Sequence, residues 1–280
     1  MLRLRAQFNS RNWRLDWSLY VILTFLAILT YIPMIFTLFN SFKENSQFNL
    51  EFWLPMLPFH FENYVKAFPS VGQAILNSLS YSIPTLILTL IFSSLAGYAF
   101  ARFRFPGKQS LFFAMLALLM IPGILLVVPM LSIVVNFRWN DTIQGVVLPW
   151  TAIEIVFGTF MMRTFFETLP REYFEAARID GADEITLLFR IAMPLAMPAL
   201  STMAILNLLF TWNELIWPLV TISDPARTPV AIAVLAFSGE YYTDYGATFA
   251  SYVLASLPLI IIFSIFSKRF MEGLSGGLSV

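Results

Sequence analysis

Residues 175–194 read EAARIDGADEITLLFRIAMP, a charged, amphipathic helix-turn-helix set between two long apolar segments. Just upstream, Thr168, Leu169 and Pro170 supply a helix start, with proline near the first helical position. Glu172 and Glu175 follow in the early turns, where the helix dipole favours acids. Gly181, free to adopt positive φ, stops that helix, and Asp183 caps a second one carrying Ile185, Leu188, Phe189 and Ala192 on one stripe. Two short helices joined at an angle are predicted. The first is a compact knob: Tyr173 and Phe174 flank it, Ala176 and Ala177 permit close approach, and Glu and Arg offer charge-assisted hydrogen bonds to a soluble partner. The blander reading is an amphipathic hairpin lying on the membrane. Between residues 163 and 190, however, four arginines face six acids, a balance that an anionic leaflet repels.

What flanks this loop is membrane span. The 280 residues are 58% hydrophobic and 12% charged, and mean hydropathy is +0.74. A bilayer core about 30 Å thick needs about 20 apolar residues in a helix. Six segments reach that length, at residues 17–39, 75–101, 111–135, 143–165, 194–220 and 245–266. Cutting the chain there places thirteen of the seventeen basic residues on one side and only Lys43, Lys66, Arg138 and Arg227 on the other. By the positive-inside rule both termini and the 175–194 loop are cytoplasmic. The chain therefore reads as an all-α polytopic membrane protein with a cytoplasmic N-terminal segment 1–16, a six-helix domain 17–267 that contains the cytoplasmic loop 166–193, and a cytoplasmic tail 268–280. The first apolar stretch is longer than a signal-peptide core and lacks a small-residue cleavage site, so it reads as a retained span. Net charge is zero and cysteine is absent, which excludes disulfides, thiolate nucleophiles and cysteine metal sites.

Polar residues inside apolar spans carry the next signal. Glu154 lies in the fourth predicted span, and Asn207, Trp212, Asn213 and Glu214 lie in the fifth. An acid at mid-span costs about 2.5 to 3.5 kcal/mol on insertion scales and usually faces a bundle interior or a wet cavity. Two readings stand for these five: a pathway for solute, or interhelical hydrogen bonding. Seven prolines in or near spans, Pro84, Pro122, Pro129, Pro149, Pro198, Pro218 and Pro258, either kink helices around a pathway or belong to ordinary packing. The outer segment 40–72, with Phe52, Trp53, Phe59, Phe61 and the single histidine His60, reads as an interfacial aromatic cap.

Glu175-Ala176-Ala177, then Gly181, Ile191 and Pro194, reproduce at fixed spacing the loop that marks membrane subunits of ABC importers. Six residues so placed match by chance roughly once in 10⁷ starting positions. The chain resembles such a permease, of the maltose or carbohydrate type, and departs from the commonest loop pattern only at Met193, where leucine is usual. Residues 97–108, GYAFARFRFPGK, and Trp212-Asn213-Glu214 resemble further segments of sugar-importing members. The resemblance implies a type I importer fold and a non-catalytic subunit. Tyr173, Glu175, Ala176, Ala177, Arg178, Asp180 and Gly181 would meet an ATP-hydrolysing subunit. Asn207, Trp212, Asn213, Glu214 and Glu154 are the candidates for the substrate pathway. No cofactor is implied for this chain, ATP and Mg belonging to the partner. The implied partners are a second homologous permease, generally a different subunit, two ATP-binding cassette subunits and an external solute-binding protein, with no nucleic acid. The outer loop 222–243 is placed toward the binding protein, and the tail 268–280 near the ATPase interface. Rival readings are an ion-coupled secondary carrier, an intramembrane hydrolase and a channel. Against them stand the small number of spans, the absence of cysteine or clustered ligands, and the lack of any filter-like segment.

Overall fold

The structure, a computed structural model, describes residues 13–237 and 243–276, with side chains from 17 to 265. The predicted segment 1–16, the tail 268–280 and the outer loop 222–243 thus lie partly outside the described residues. Among those described, all regular structure is helical apart from an isolated bridge residue at Thr243. The helices are α1 (Trp13–Asn40), α2 (Asn45–Leu50), α3 (Glu62–Arg102), α4 (Lys108–Ala117), α5 (Gly123–Asn136), α6 (Ile143–Thr168), α7 (Arg171–Ile179), α8 (Glu184–Leu187), α9 (Met193–Leu195), α10 (Met197–Asn213), α11 (Ile216–Thr221), α12 (Val230–Ala233) and α13 (Tyr245–Gly276).

Among the described residues four helices are long and apolar enough to cross a bilayer alone, and six crossings result if two bent pairs each count as one. Two of the predicted spans are therefore not straight. The third breaks at Ile121-Pro122, where the helix ending at Met120 and α5 meet at 100°. Proline lacks the N–H that would continue the ladder. The fifth begins inside a second bend, of 76°, between Glu184–Leu195 and Met197–Asn213, and ends early, since α10 stops at Asn213. Two other ends also move: α1 starts at Trp13 rather than at residue 17, and α3 starts at Glu62 rather than at residue 75.

The chain divides into two compact units, residues 1–68 with 237–254 and residues 69–236 with 255–280. In the first, α1 presents an apolar window of which none is buried. The segment after it is a knot rather than a loose cap. Asn63 Nδ2 donates to the carbonyls of Ser41 (3.0 Å) and Lys43 (2.9 Å), and Asn45 accepts from Tyr245 N (2.9 Å) while donating to Thr243 O (2.7 Å). The wholly buried Lys43 donates Nζ to Glu51 O at 2.6 Å, and burial pushes its pKa below the usual lysine value. Phe48 stacks on Tyr245 at 4.3 Å.

In the second unit α3, α6 and α10 pack closely through small residues. A Cβ on Gly97 would lie 2.7 Å from Met162 Cβ and 2.8 Å from Arg163 N, so only glycine fits where α3 meets α6. Pro149 leaves the Gly145 carbonyl without its helical donor, and the Trp217 indole Nε1 supplies one at 3.1 Å. That bond ties α6 to α11 inside an aromatic core of Tyr81, Trp150 and Trp217.

Candidate functional site

The knob is built by local chemistry and then fastened by distant residues. Pro170 stands at the N-cap of α7, and the helix ends where Gly181 takes φ +87°, with its N–H on Arg178 O (3.0 Å) and that of Ala182 on Ala177 O (2.9 Å). Asp183 then caps α8, accepting Thr186 N at 2.8 Å. The Thr186 side chain and this backbone N–H hold the Asp183 carboxyl below the usual aspartate range. The second helix departs from the expected stripe. A π turn over Leu188–Ala192 changes its periodicity, so Leu187, Leu188 and Ala192 are buried while Ile185 and Phe189 are exposed.

Phe174 is 2% exposed and sits with Tyr98, Phe166, Leu187 and Leu188 in one core, with Ala177 packed against it. The opposite face is open. Tyr173 is 55% exposed and Ile179 87%, and Glu175, Ala176, Asp180 and Gly181 are exposed with them. Arg178 is exposed but engaged: Nη2 donates to Glu184 Oε1 at 2.8 Å, a bond that raises the guanidinium pKa. The other carboxylate oxygen of Glu184 accepts Tyr98 OH at 2.9 Å, so one acid links α7, α8 and α3. Arg102, at the end of α3, donates to the carbonyls of Phe166 (2.7 Å) and Leu169 (2.9 Å), satisfying the C-terminus of α6, and its guanidinium lies 3.9 Å over the Phe174 ring. Sequence reasoning had not singled out Arg102, Tyr98 and Glu184 for these roles, because their partners lie up to 86 residues away.

The five pathway candidates do not converge. Asn207 is wholly buried between α10 and α6, and its Nδ2 donates to Glu154 Oε2 at 3.2 Å, with Thr89 Oγ1 at 3.5 Å. Asn207 Oδ1 has no partner among the described residues. Trp212 is buried, its Nε1 on Ala255 O of α13 at 3.2 Å, and the exposed Asn213 bonds back to Leu209 O at 2.7 Å. Glu214 is not at mid-helix, as the sequence implied. It is the residue at which α10 ends, and its carboxylate accepts Ile216 N (3.0 Å), Trp217 N (3.0 Å) and the Trp150 indole (3.3 Å). From one residue before the N-cap Leu215, this acid satisfies the first free N–H groups of α11 and the Trp150 indole, which leaves its carboxylate fully partnered. It also lines an otherwise apolar cavity of about 180 Å³ with Trp150, Phe210 and Trp217.

The profile of a family described as binding-protein-dependent transport system inner membrane component matches residues 90–275. The chain is 32% identical over 263 residues to a diacetylchitobiose uptake system permease protein of Streptomyces coelicolor, covering 92% of this chain and 87% of that one. It is 31% identical to an arabinooligosaccharides transport system permease protein of Bacillus subtilis, covering 99% of both. Among solved structures, a bacterial ABC transporter involved in import of the acidic polysaccharide alginate superposes with TM-score 0.80 at 21% identity, over 95% of this chain and 100% of that one.

Proposed function

From the premise that this chain belongs to the binding-protein-dependent transport inner membrane components, and is thus the permease of an ABC importer, we propose that it carries a sugar or oligosaccharide and couples through α7. Relatives named for diacetylchitobiose, arabinooligosaccharides and trehalose support the cargo class. In this reading the chain performs no chemistry; ATP and Mg bind two partner ATPase subunits. The spans end with their basic residues in the cytoplasm, and an external solute-binding protein delivers the cargo. A second, homologous permease completes the pore. The uncovered apolar length of α1 supports that partner, because its own unit buries none of it.

The observation that carries the proposal is the two-sided construction of α7. Its outward face of Tyr173, Glu175, Ala176, Ile179 and Asp180 is free for a partner, while its inward face is locked to the spans by Phe174, Arg102 and Glu184. A partner gripping the outward face therefore moves the ends of α3 and α6. Of the pathway candidates, Glu154 and Asn207 meet between helices, an arrangement that supports interhelical hydrogen bonding for this pair.

The test is ATP hydrolysis by the purified complex in lipid, with and without loaded binding protein. Glu175→Arg reverses an exposed charge without touching the core, so the spans should assemble while binding-protein stimulation is lost. Wild-type stimulation in that variant would refute coupling through this face.

A further inference from the structure

Between α7 and the end of α3 lies a polar cleft of about 550 Å³, whose walls add Arg104, Lys108 and Arg171 to the coupling residues Arg102, Phe174, Glu175 and Arg178. Five cations line it, Arg102, Arg104, Lys108, Arg171 and Arg178, against two acids, Glu167 and Glu175. Glu167 is already taken by Arg163 at 2.9 Å. Arg102 and Arg178 are held by their carbonyl and Glu184 partners, yet Arg102 Nε is buried with no partner among the described residues. The Arg104 and Arg171 side chains make no hydrogen bond or ion pair with any described residue. The loop's acidic balance is thus resolved in space, since Glu172, Asp180, Asp183 and Glu184 are not in these walls. What remains is net positive charge around a space large enough for a phosphate group.

Its position selects the source of that anion. Both walls begin where the apolar runs of the second and fourth predicted spans stop, at the boundary of the bilayer. Phe103 (41% exposed) and Phe105 (38%) alternate with Arg102 and Arg104, a pattern suited to headgroup depth. Leu111 (57%) and Phe113 (58%) then expose apolar side chains on the two flanks of α4, either side of the buried Phe112. We propose that this cleft binds the phosphate of an anionic glycerophospholipid, with its acyl chains along α4 and its headgroup wedged under the coupling helix. A basic pocket at the ends of spans is the physical setting in which such headgroups are held.

The experiment uses the whole complex, carried in nanodiscs of phosphatidylcholine mixed with phosphatidylglycerol and released for native mass spectrometry. Wild type and the control Arg190→Gln, an exposed cation outside the cleft, should retain phosphatidylglycerol in preference to phosphatidylcholine. Each cation removed should weaken retention about fivefold, so Arg104→Gln with Lys108→Gln should lose it roughly 25-fold and Arg171→Gln alone about fivefold. Undiminished retention in both variants, or no preference for phosphatidylglycerol in wild type, overturns the proposal. Complete displacement by inorganic phosphate would assign the cleft to a soluble anion instead. Variants that keep the lipid but shed the ATPase subunits would assign the cations to the protein partner. A double variant that failed to assemble would leave Arg171→Gln to decide.

Discussion

Replacing Glu214 by alanine separates a capping acid from a solute-binding one. The wild-type carboxylate accepts three N–H groups, from Ile216, Trp217 and the Trp150 indole, and both tryptophans are nearly fully buried. Loss of an N-cap costs about 0.5 to 2 kcal/mol, and each buried donor left unpaired adds about 1 to 3. Part of this relaxes, because Ile216 is 44% exposed and the adjoining cavity of about 180 Å³ lets side chains shift. We expect Glu214→Ala to destabilise the subunit by about 2 to 4 kcal/mol, and Glu214→Gln, whose amide oxygen still accepts, by about 1 kcal/mol. At about 2 °C per kcal/mol for a chain of this size, the apparent melting temperature of the complex in nanodiscs should fall by about 4 to 8 °C in the alanine variant. Uptake into proteoliposomes by Glu214→Gln should keep the wild-type half-saturation for solute. If the alanine variant melts with wild type while the glutamine variant shows weakened half-saturation, the carboxylate serves the solute and the capping argument is wrong.

Gly181→Val places a β-branched residue at φ +87° with no steric neighbour within 4 Å of its Cβ, so its cost is conformational alone, about 1 to 2 kcal/mol; faster amide exchange across 178–183 would register it. The Asp183 carboxyl is held below its unfolded value of about 3.9. Its contribution to α8 is therefore present above that value and lost as pH falls through the folded pKa. Proteolytic protection of 184–195 should fall with acid in wild type and lose this pH dependence in Asp183→Ala. Trp217→Phe strands the Gly145 carbonyl and should cost about 1 to 3 kcal/mol in thermal stability. Adding Pro149→Ala restores a backbone donor four residues on, so the double variant should recover part of that loss; simple additivity would show that the indole does not replace the missing proline N–H.

The parts that could be read from the sequence were those with local causes. Gly181 and Asp183 act on their own neighbours, so the end of α7 and the start of α8 fall where expected. The six apolar segments were also legible, because hydropathy averages over about 20 residues, although four stand as single helices and the count reaches six only with each bent pair taken as one span. The same averaging hid the breaks: Pro122 and Glu214 are single residues within apolar windows, yet one admits a bend of 100° and the other ends a helix. The start of α3 was obscured because Glu62, Asn63, Lys66 and Gln73 read as loop, although they form a helix above the apolar run. Ile185 and Phe189 lie outward and Leu188 and Ala192 inward because the π turn over Leu188–Ala192 departs from the 3.6-residue period on which the stripe rests. For the site, exposed residues on one short helix were legible, whereas Arg102, Tyr98 and Glu184 depend on contacts across 64 to 86 residues of chain.

Those long-range ties bear on how a push at α7 would travel. Phe174 shares one close-packed cluster with Tyr98 of α3, Met162 and Phe166 of α6, and Ala199, Leu200 and Met203 of α10. Interiors of this density resist shear, because a gap of 0.5 to about 1 Å already forfeits a quarter to a half of each contact's attraction. Displacing α7 alone would also break the Arg178–Glu184 bond to α8 and lift the Phe174 ring away from the Arg102 guanidinium of α3. Between the knob and α10 the chain is different in kind, with a π turn over Leu188–Ala192 followed by the 76° bend at Ala196. Irregular turns of this sort absorb angular change more readily than continuous helix. For the proposed coupling, α3 and α6 are therefore the helices that must move as a body with α7, and the bend at Ala196 is where α10 can change its angle to them. Glu154 and Asn207 face each other across that α6–α10 boundary, so motion of the knob would strain their one hydrogen bond before it disturbed the pairing of α3 with α6.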